Sequence, residues 1–118
     1  MEKWLGVQFE SSSVLTKQFS SFARQFRTEL IKKTKEDFKL LDFNREHFYC
    51  SGFMQHIESG KIVYFSISDT RHWQDEWYNN ILIRIARDTR DFTGGRNNHT
   101  SFNKINEDMV KLVERELR

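Results

Sequence analysis

Proline is absent from this sequence, so its turns must be built by Gly, Asn, Asp and Ser. Glycine is sparse as well, with five in 118 residues, and two of them are adjacent at Gly94-Gly95. One cysteine, Cys50, excludes an intramolecular disulfide and fits a reducing cytosol. No apolar run approaches a membrane span, and Met1-Glu2-Lys3-Trp4-Leu5 has neither the basic region nor the apolar run of a signal peptide. A cytoplasmic protein with no membrane partner is therefore expected. Without a secretion route, the glycosylation sequon Asn98-His99-Thr100 is a chance match. Charge of one sign is lacking too. A net charge of +2 excludes the strongly acidic surface of a DNA mimic and does not by itself announce a nucleic-acid binder.

What is present is aromatic. Phe accounts for 11 residues, beside 3 Trp and 3 Tyr, and hydrophobic residues make up 37% of the chain. That is too much core-forming material for a disordered chain, even with 31% charged residues. The length fits one domain, residues 1–118, and leaves no room for a second core.

Residues 4–9 alternate in character and fit a short strand or a packed arm. Ser11-Ser12-Ser13 then offers hydroxyl caps for a helix in which Leu15, Phe19, Phe22, Phe26 and Leu30 form one stripe at helical spacing. From Phe38 the period changes to two. Residues 38–43 read as a strand, followed by an Asn44-Arg45-Glu46 turn. Residues 47–57 and 61–69 read as two strands joined at Ser59-Gly60. A two-residue connection there sets Met54 opposite Phe65, Gly52 opposite Ile67 and Cys50 opposite Asp69. One face then carries Phe48, Cys50, Met54, Val63, Phe65 and Ile67. The other carries Tyr49, Phe53, Ile57, Ile62 and Tyr64 and is expected to be partly covered.

Residues 80–87 read as a further strand, with Ile81, Ile83 and Ile85 alternating against Leu82, Arg84 and Ala86; a short helix competes. Residues 91–102 read as a loop. A last helix, capped by Asn106, has the stripe Ile105, Met109, Leu112, Val113 and Leu117. The fold class is α+β: an antiparallel β-sheet of about 4 strands packed against two amphipathic helices.

The possible metal ligands are His47, Cys50, His56, His72 and His99. His47 and Cys50, three apart on a strand, point to opposite faces, so no metal and no cofactor is expected. Cys50 on a buried face acts as a small hydrophobe, and no nucleophile elbow is present. The acids Asp69, Asp75, Glu76, Asp88 and Asp91 would have to converge to serve a nuclease, yet each has an arginine nearby in sequence. No catalytic residue is assigned. Thr93-Gly94-Gly95-Arg96-Asn97-Asn98 lacks the Lys-Ser/Thr of a phosphate loop, and reads equally as a plain turn or as a loop shaped for a partner. Trp73, Trp77 and Tyr78, mixed with Arg71, His72 and Asn79, have the composition of a protein interface and equally of a small core closed at one end, the first reading favoured for Trp73 and the second for Trp77. Between Lys17 and Lys39 seven basic residues (Lys17, Arg24, Arg27, Lys32, Lys33, Lys35, Lys39) meet three acids, Glu29, Glu36 and Asp37.

The runs Tyr64-Phe65-Ser66-Ile67-Ser68-Asp69-Thr70-Arg71, Glu76-Trp77-Tyr78-Asn79-Asn80-Ile81-Leu82-Ile83-Arg84 and Asp91-Phe92-Thr93-Gly94-Gly95-Arg96-Asn97-Asn98 carry a resemblance. They resemble small proteins borne by phages and conjugative elements of low-GC Gram-positive bacteria, several of which are anti-CRISPR inhibitors. The resemblance implies a mobile-element protein that binds a host CRISPR effector nuclease stoichiometrically and blocks guide loading, access of target DNA or the nuclease's conformational change. Anti-CRISPR proteins share no common signature, so no functional residue is carried over. The residues themselves suggest a partner surface of Arg71, His72, Trp73, Tyr78, Asn79 and Arg96. It gathers at one sheet end if the glycine loop folds back. The alternative is a small nucleic-acid-binding protein using Lys17, Arg24, Arg27 and Lys32. A small hydrolase or nuclease around Asp69, His72 and the Gly94-Gly95 loop is the third reading.

Overall fold

The computed structural model describes residues 12–45, 49–68, 81–92 and 94–116, with side chains of the first helix from Ala23 onward. The strand expected at residues 4–9, the cap Ser11, and the side chains of Leu15, Phe19, Phe22, Phe48 and Leu117 lie outside that description.

Helix α1 (Ser12–Thr34) leads into β1 (Phe38–Arg45), β2 (Tyr49–His56), β3 (Ile62–Ser68) and β4 (Ile81–Ala86). Then come β5 (Asn98–Thr100), a 3-10 turn (Phe102–Lys104) and α2 (Ile105–Glu116). The strands form one antiparallel sheet in sequence order, β1-β2-β3-β4-β5. Among the described residues no helix is long and apolar enough to cross a membrane.

The described part of the α1 stripe buries Ala23, Phe26, Leu30 and Thr34, at steps of three, four and four. The Thr34 hydroxyl donates to the Leu30 carbonyl at 2.8 Å, and Asp37 N–H reaches the Thr34 carbonyl at 3.0 Å, which turns the chain into β1. Both helices cover the same side of the sheet. Phe26 and Leu30 of α1, and Ile105, Met109, Leu112 and Val113 of α2, share one core with Cys50, Met54, Val63, Phe65, Ile67, Ile81 and Ile83.

Four strands stand where the alternating pattern puts them, and β1 continues through Asn44 and Arg45, which read as a turn. The fifth strand lies inside the stretch read as a loop. It has three residues, too few for a period to register, and exists through its pairing with β4. The β2–β3 register also differs from the expected one. Met54 faces Val63, Gly52 faces Phe65 and Cys50 faces Ile67, a slip of two residues. The connection is longer than Ser59-Gly60: His56 N–H bonds the Lys61 carbonyl at 2.8 Å, and His56 Nδ1 and Ser59 Oγ meet at 2.8 Å. Because side chains alternate with period two, a slip of two leaves every residue on its expected face.

On the far face Phe53, Tyr64 and Ala86 are buried, with Ile62 and Leu82 against them, while Tyr49 and Ile57 are exposed. Asn106 does not cap α2. Ser101 precedes the 3-10 turn without a side-chain cap, and Asn106 lies inside the helix, where its Nδ2 donates to Asp37 Oδ2 at 2.8 Å. That bond ties α2 to the turn after α1.

Candidate functional site: a groove beside the short edge strand

β5 is so short that it pairs only with Ile81, Leu82 and Ile83. Beyond Ile83, Gly95 of the connection after β4 backs onto that strand, and Asp91 organises the described residues around it. Its buried carboxylate accepts the Arg87 N–H at 3.0 Å and the Gly94 N–H at 2.8 Å, and lies 3.5 Å from Arg87 Nε. Asp88 Oδ1 likewise accepts the Arg90 N–H at 2.8 Å. Gly95 adopts a positive φ of 82° and backs onto β4 so closely that a Cβ would come within 2.5 Å of the Ile85 carbonyl oxygen. Only glycine suits that position.

Arg96 follows, exposed to solvent, and its carbonyl accepts Asn98 Nδ2 at 3.0 Å. Between this loop, β5 and α2 lie two adjoining clefts. The larger, 450 Å³, has His99, Asp108, Lys111 and Glu114 on its walls; the smaller, 260 Å³, has Ile85 and Leu112 with Arg96 and Glu116. Asn98 and Arg115 line both, and the Arg115 Nη2 donates to Asn98 Oδ1 at 3.5 Å, so the clefts form one groove. Asp108 is committed to the Thr100 hydroxyl at 2.6 Å, which fixes β5 to α2. The groove thus has an apolar patch and a rim of Arg96, Lys111 and Arg115 set against Glu114 and Glu116. Such a rim suits hydrogen bonding to a polypeptide surface, with arginine forks supplying directional donors.

No known protein family, curated protein or solved structure matches the chain.

The groove contains one residue of the partner surface read from the sequence, Arg96. Arg71, His72, Trp73, Tyr78 and Asn79 lie outside the described residues, as do Asp69, Asp75 and Glu76. The glycine loop does not fold back toward the sheet end where β3 finishes. Asn98 pairs with Ile83 and Thr100 with Ile81, which leaves Arg96 near Ile85, at the opposite end of β4 from Ile81. Lys111 and Arg115 escaped the sequence reading because they sit on the solvated face of an amphipathic helix. Only the return of β5 makes them part of a groove.

The basic residues of the alternative are exposed on α1: Arg24, Arg27 and Lys32, with Lys17 in the same helix and its side chain outside the description. A shallow depression of 460 Å³ runs beside Arg24, Gln25, Thr28 and Glu29. Burial pushes the Cys50 thiol well above its usual range, so it is held as a neutral thiol rather than a nucleophile. Among the described residues no group of three His, Cys, Asp or Glu is placed to hold a metal ion. His56 is engaged with Ser59, and His99 stands exposed on β5.

Proposed function

We propose that this chain is a binding protein that docks on another protein through the groove between β5 and α2. Its resemblance to anti-CRISPR inhibitors makes an RNA-guided defence nuclease the proposed partner, inhibited by stoichiometric binding in the cytoplasm. The observation that carries the reading is the loop folded around Asp91, which presents Arg96 beside Arg115 over an apolar patch of Ile85 and Leu112. A loop already held in place loses less entropy on docking than one ordered by its partner. Arg96→Ala and Arg115→Ala test it. Each should melt cooperatively like the parent and bind at least roughly thirty-fold more weakly, the loss of about 2 kcal/mol expected of a hot-spot arginine. Inhibition is titrated against target cleavage by a purified guide-loaded nuclease. Two folded variants inhibiting at the parent's ratio would exclude the groove.

A second reading rests on α1. Arg24, Thr28 and Lys32 recur every fourth residue on its exposed side, with Arg27 flanking them. If this stripe holds phosphates, affinity for generic duplex DNA falls with salt at a log–log slope of about −3, three cations each releasing about one counterion. Changing Arg24, Arg27 and Lys32 together to Gln should flatten that slope. A weak affinity unaffected by the triple change would remove α1 from consideration.

A further inference from the structure

On the sheet face away from the helices, Phe53, Tyr64 and Arg84 stand opposite one another in one row across β2, β3 and β4. Arg84 is only 7% exposed. Its guanidinium carbon lies 4.2 Å from the centre of the Tyr64 ring, a cation–π arrangement. Phe92 packs edge-on against Phe53 and Tyr64 at 5.3 and 6.0 Å. Gly95 closes on the Arg84 stem, where a Cβ would sit 3.7 Å from Arg84 Cβ. The Tyr64 face thus holds the guanidinium, and Gly95 backs onto its stem.

Two of its nitrogens, Nε and Nη2, are sealed from solvent and find no hydrogen-bond acceptor among the described residues. These two lie along one edge of the guanidinium plane, with their N–H bonds side by side. That edge is the fork with which arginine grips the paired oxygens of a carboxylate. Arginine does not shed its proton, so the charge stays in the interior, where leaving it unpaired is costly. A position that only had to fill volume would be more stable with an apolar side chain.

We propose that the unpaired edge of Arg84 is an anion-recognition site that takes the carboxylate of an acidic side chain on the protein partner. Naming the source as a protein rests on the binding function proposed above; the site itself does not. A single planar fork over one ring face matches a planar, singly charged group. The further oxygens of a phosphate would need donors beyond this one fork, and the ring against the guanidinium, Tyr64, offers a carbon face. Nε and Nη2 are closed in the free protein, so entry follows a local opening, and the probe must be small.

Acetate is that probe. Melting is followed at neutral pH and constant ionic strength in chloride, acetate or phosphate, for the parent, Arg84→Lys and Arg84→Met. A ligand that binds only the folded state raises its melting temperature, here by about 3 °C for the parent in acetate, with a smaller rise in phosphate. Arg84→Lys keeps the charge but lacks the fork, and Arg84→Met has neither; both should lose the acetate-specific rise. In chloride Arg84→Met should melt at or above the parent, and it should inhibit the guide-loaded nuclease at least roughly thirty-fold less well. Equal acetate responses in parent and Arg84→Met would overturn the site. So would an Arg84→Met protein that melts well below the parent, because the arginine would then be serving the fold. A larger rise in phosphate than in acetate would overturn the carboxylate. The acetate response needs no partner, so its failure is separable from failure of the groove variants. An intact response with undiminished inhibition by Arg84→Met would detach the site from the partner.

Discussion

Phe26→Ala should lower the stability of the fold by about 3–5 kcal/mol and its melting temperature by about 12–20 °C. The Phe26 ring has no exposed surface and links three elements that are distant in sequence. It lies 6.0 Å from the Phe65 ring of β3 and 6.1 Å from the Phe102 ring of the 3-10 turn before α2. Truncation removes the ring's burial and leaves a hole that neither partner can fill. Phe65 is held on its other side by Phe43 at 6.2 Å, and Phe102 is fixed in the turn that leads into α2. Small domains have only about 5–15 kcal/mol of net stability, so one ring is a large share. Thermal and urea melts measure the loss; a variant melting within a few degrees of the parent would show that α1 does not seat on this core.

The same ring shows what the sequence revealed and where it stopped. Phe26 and Leu30 were legible from helical spacing, and Ile81, Ile83 and Ile85 from alternation, because burial on one side imposes a period on the chain. Periods fix faces, however, and leave registers open. The β2–β3 pairing therefore came out displaced by two, with the faces right and the partners wrong. Hydrogen bonds between His56, Ser59 and Lys61 set the true connection, and nothing in local composition reveals them. β5 was hidden for a related reason. Three residues carry no pattern, and the strand depends on its ladder with β4 and on the Thr100–Asp108 bond.

The candidate sites divide along the same line. Arg96 was legible because adjacent glycines beside an arginine are unusual. Arg115 and Lys111 were not, since on a helix they resemble any solvated face. Arg84 was placed on the correct face by alternation, but its contact with the Tyr64 ring comes from the pairing of β4 with β3. Binding residues that gain their role from tertiary contact leave no mark in the local sequence.

Gly52→Ala should be at least as damaging as loss of the Phe26 ring, although it adds only a methyl group. Gly52 sits in β2 on the core side, between Phe43 of β1 and Phe65 of β3. Between Leu40 and Asp42 the β1 strand bulges, and the irregularity brings the Asp42 carbonyl over Gly52. A Cβ there would overlap that carbonyl oxygen and approach Phe65 Cζ and Cε1 at 2.8 and 2.9 Å. Neither neighbour can yield cheaply. The oxygen belongs to the backbone of a bulged strand, and Phe65 has no exposed surface and packs against Phe26 and Phe43. Overpacking normally costs about 1–3 kcal/mol; with a rigid carbonyl and a buried ring opposing the methyl, this variant should exceed that range and lose cooperative melting. A second variant separates the two obstacles. Gly52→Ala with Phe65→Leu relieves the ring contact and leaves the carbonyl contact, so it should remain strongly destabilised. Recovery to the level of Phe65→Leu alone would show that the ring was the only barrier. A Gly52→Ala protein that melts like the parent would contradict the bulge at Leu41 and the β1–β2 register built on it.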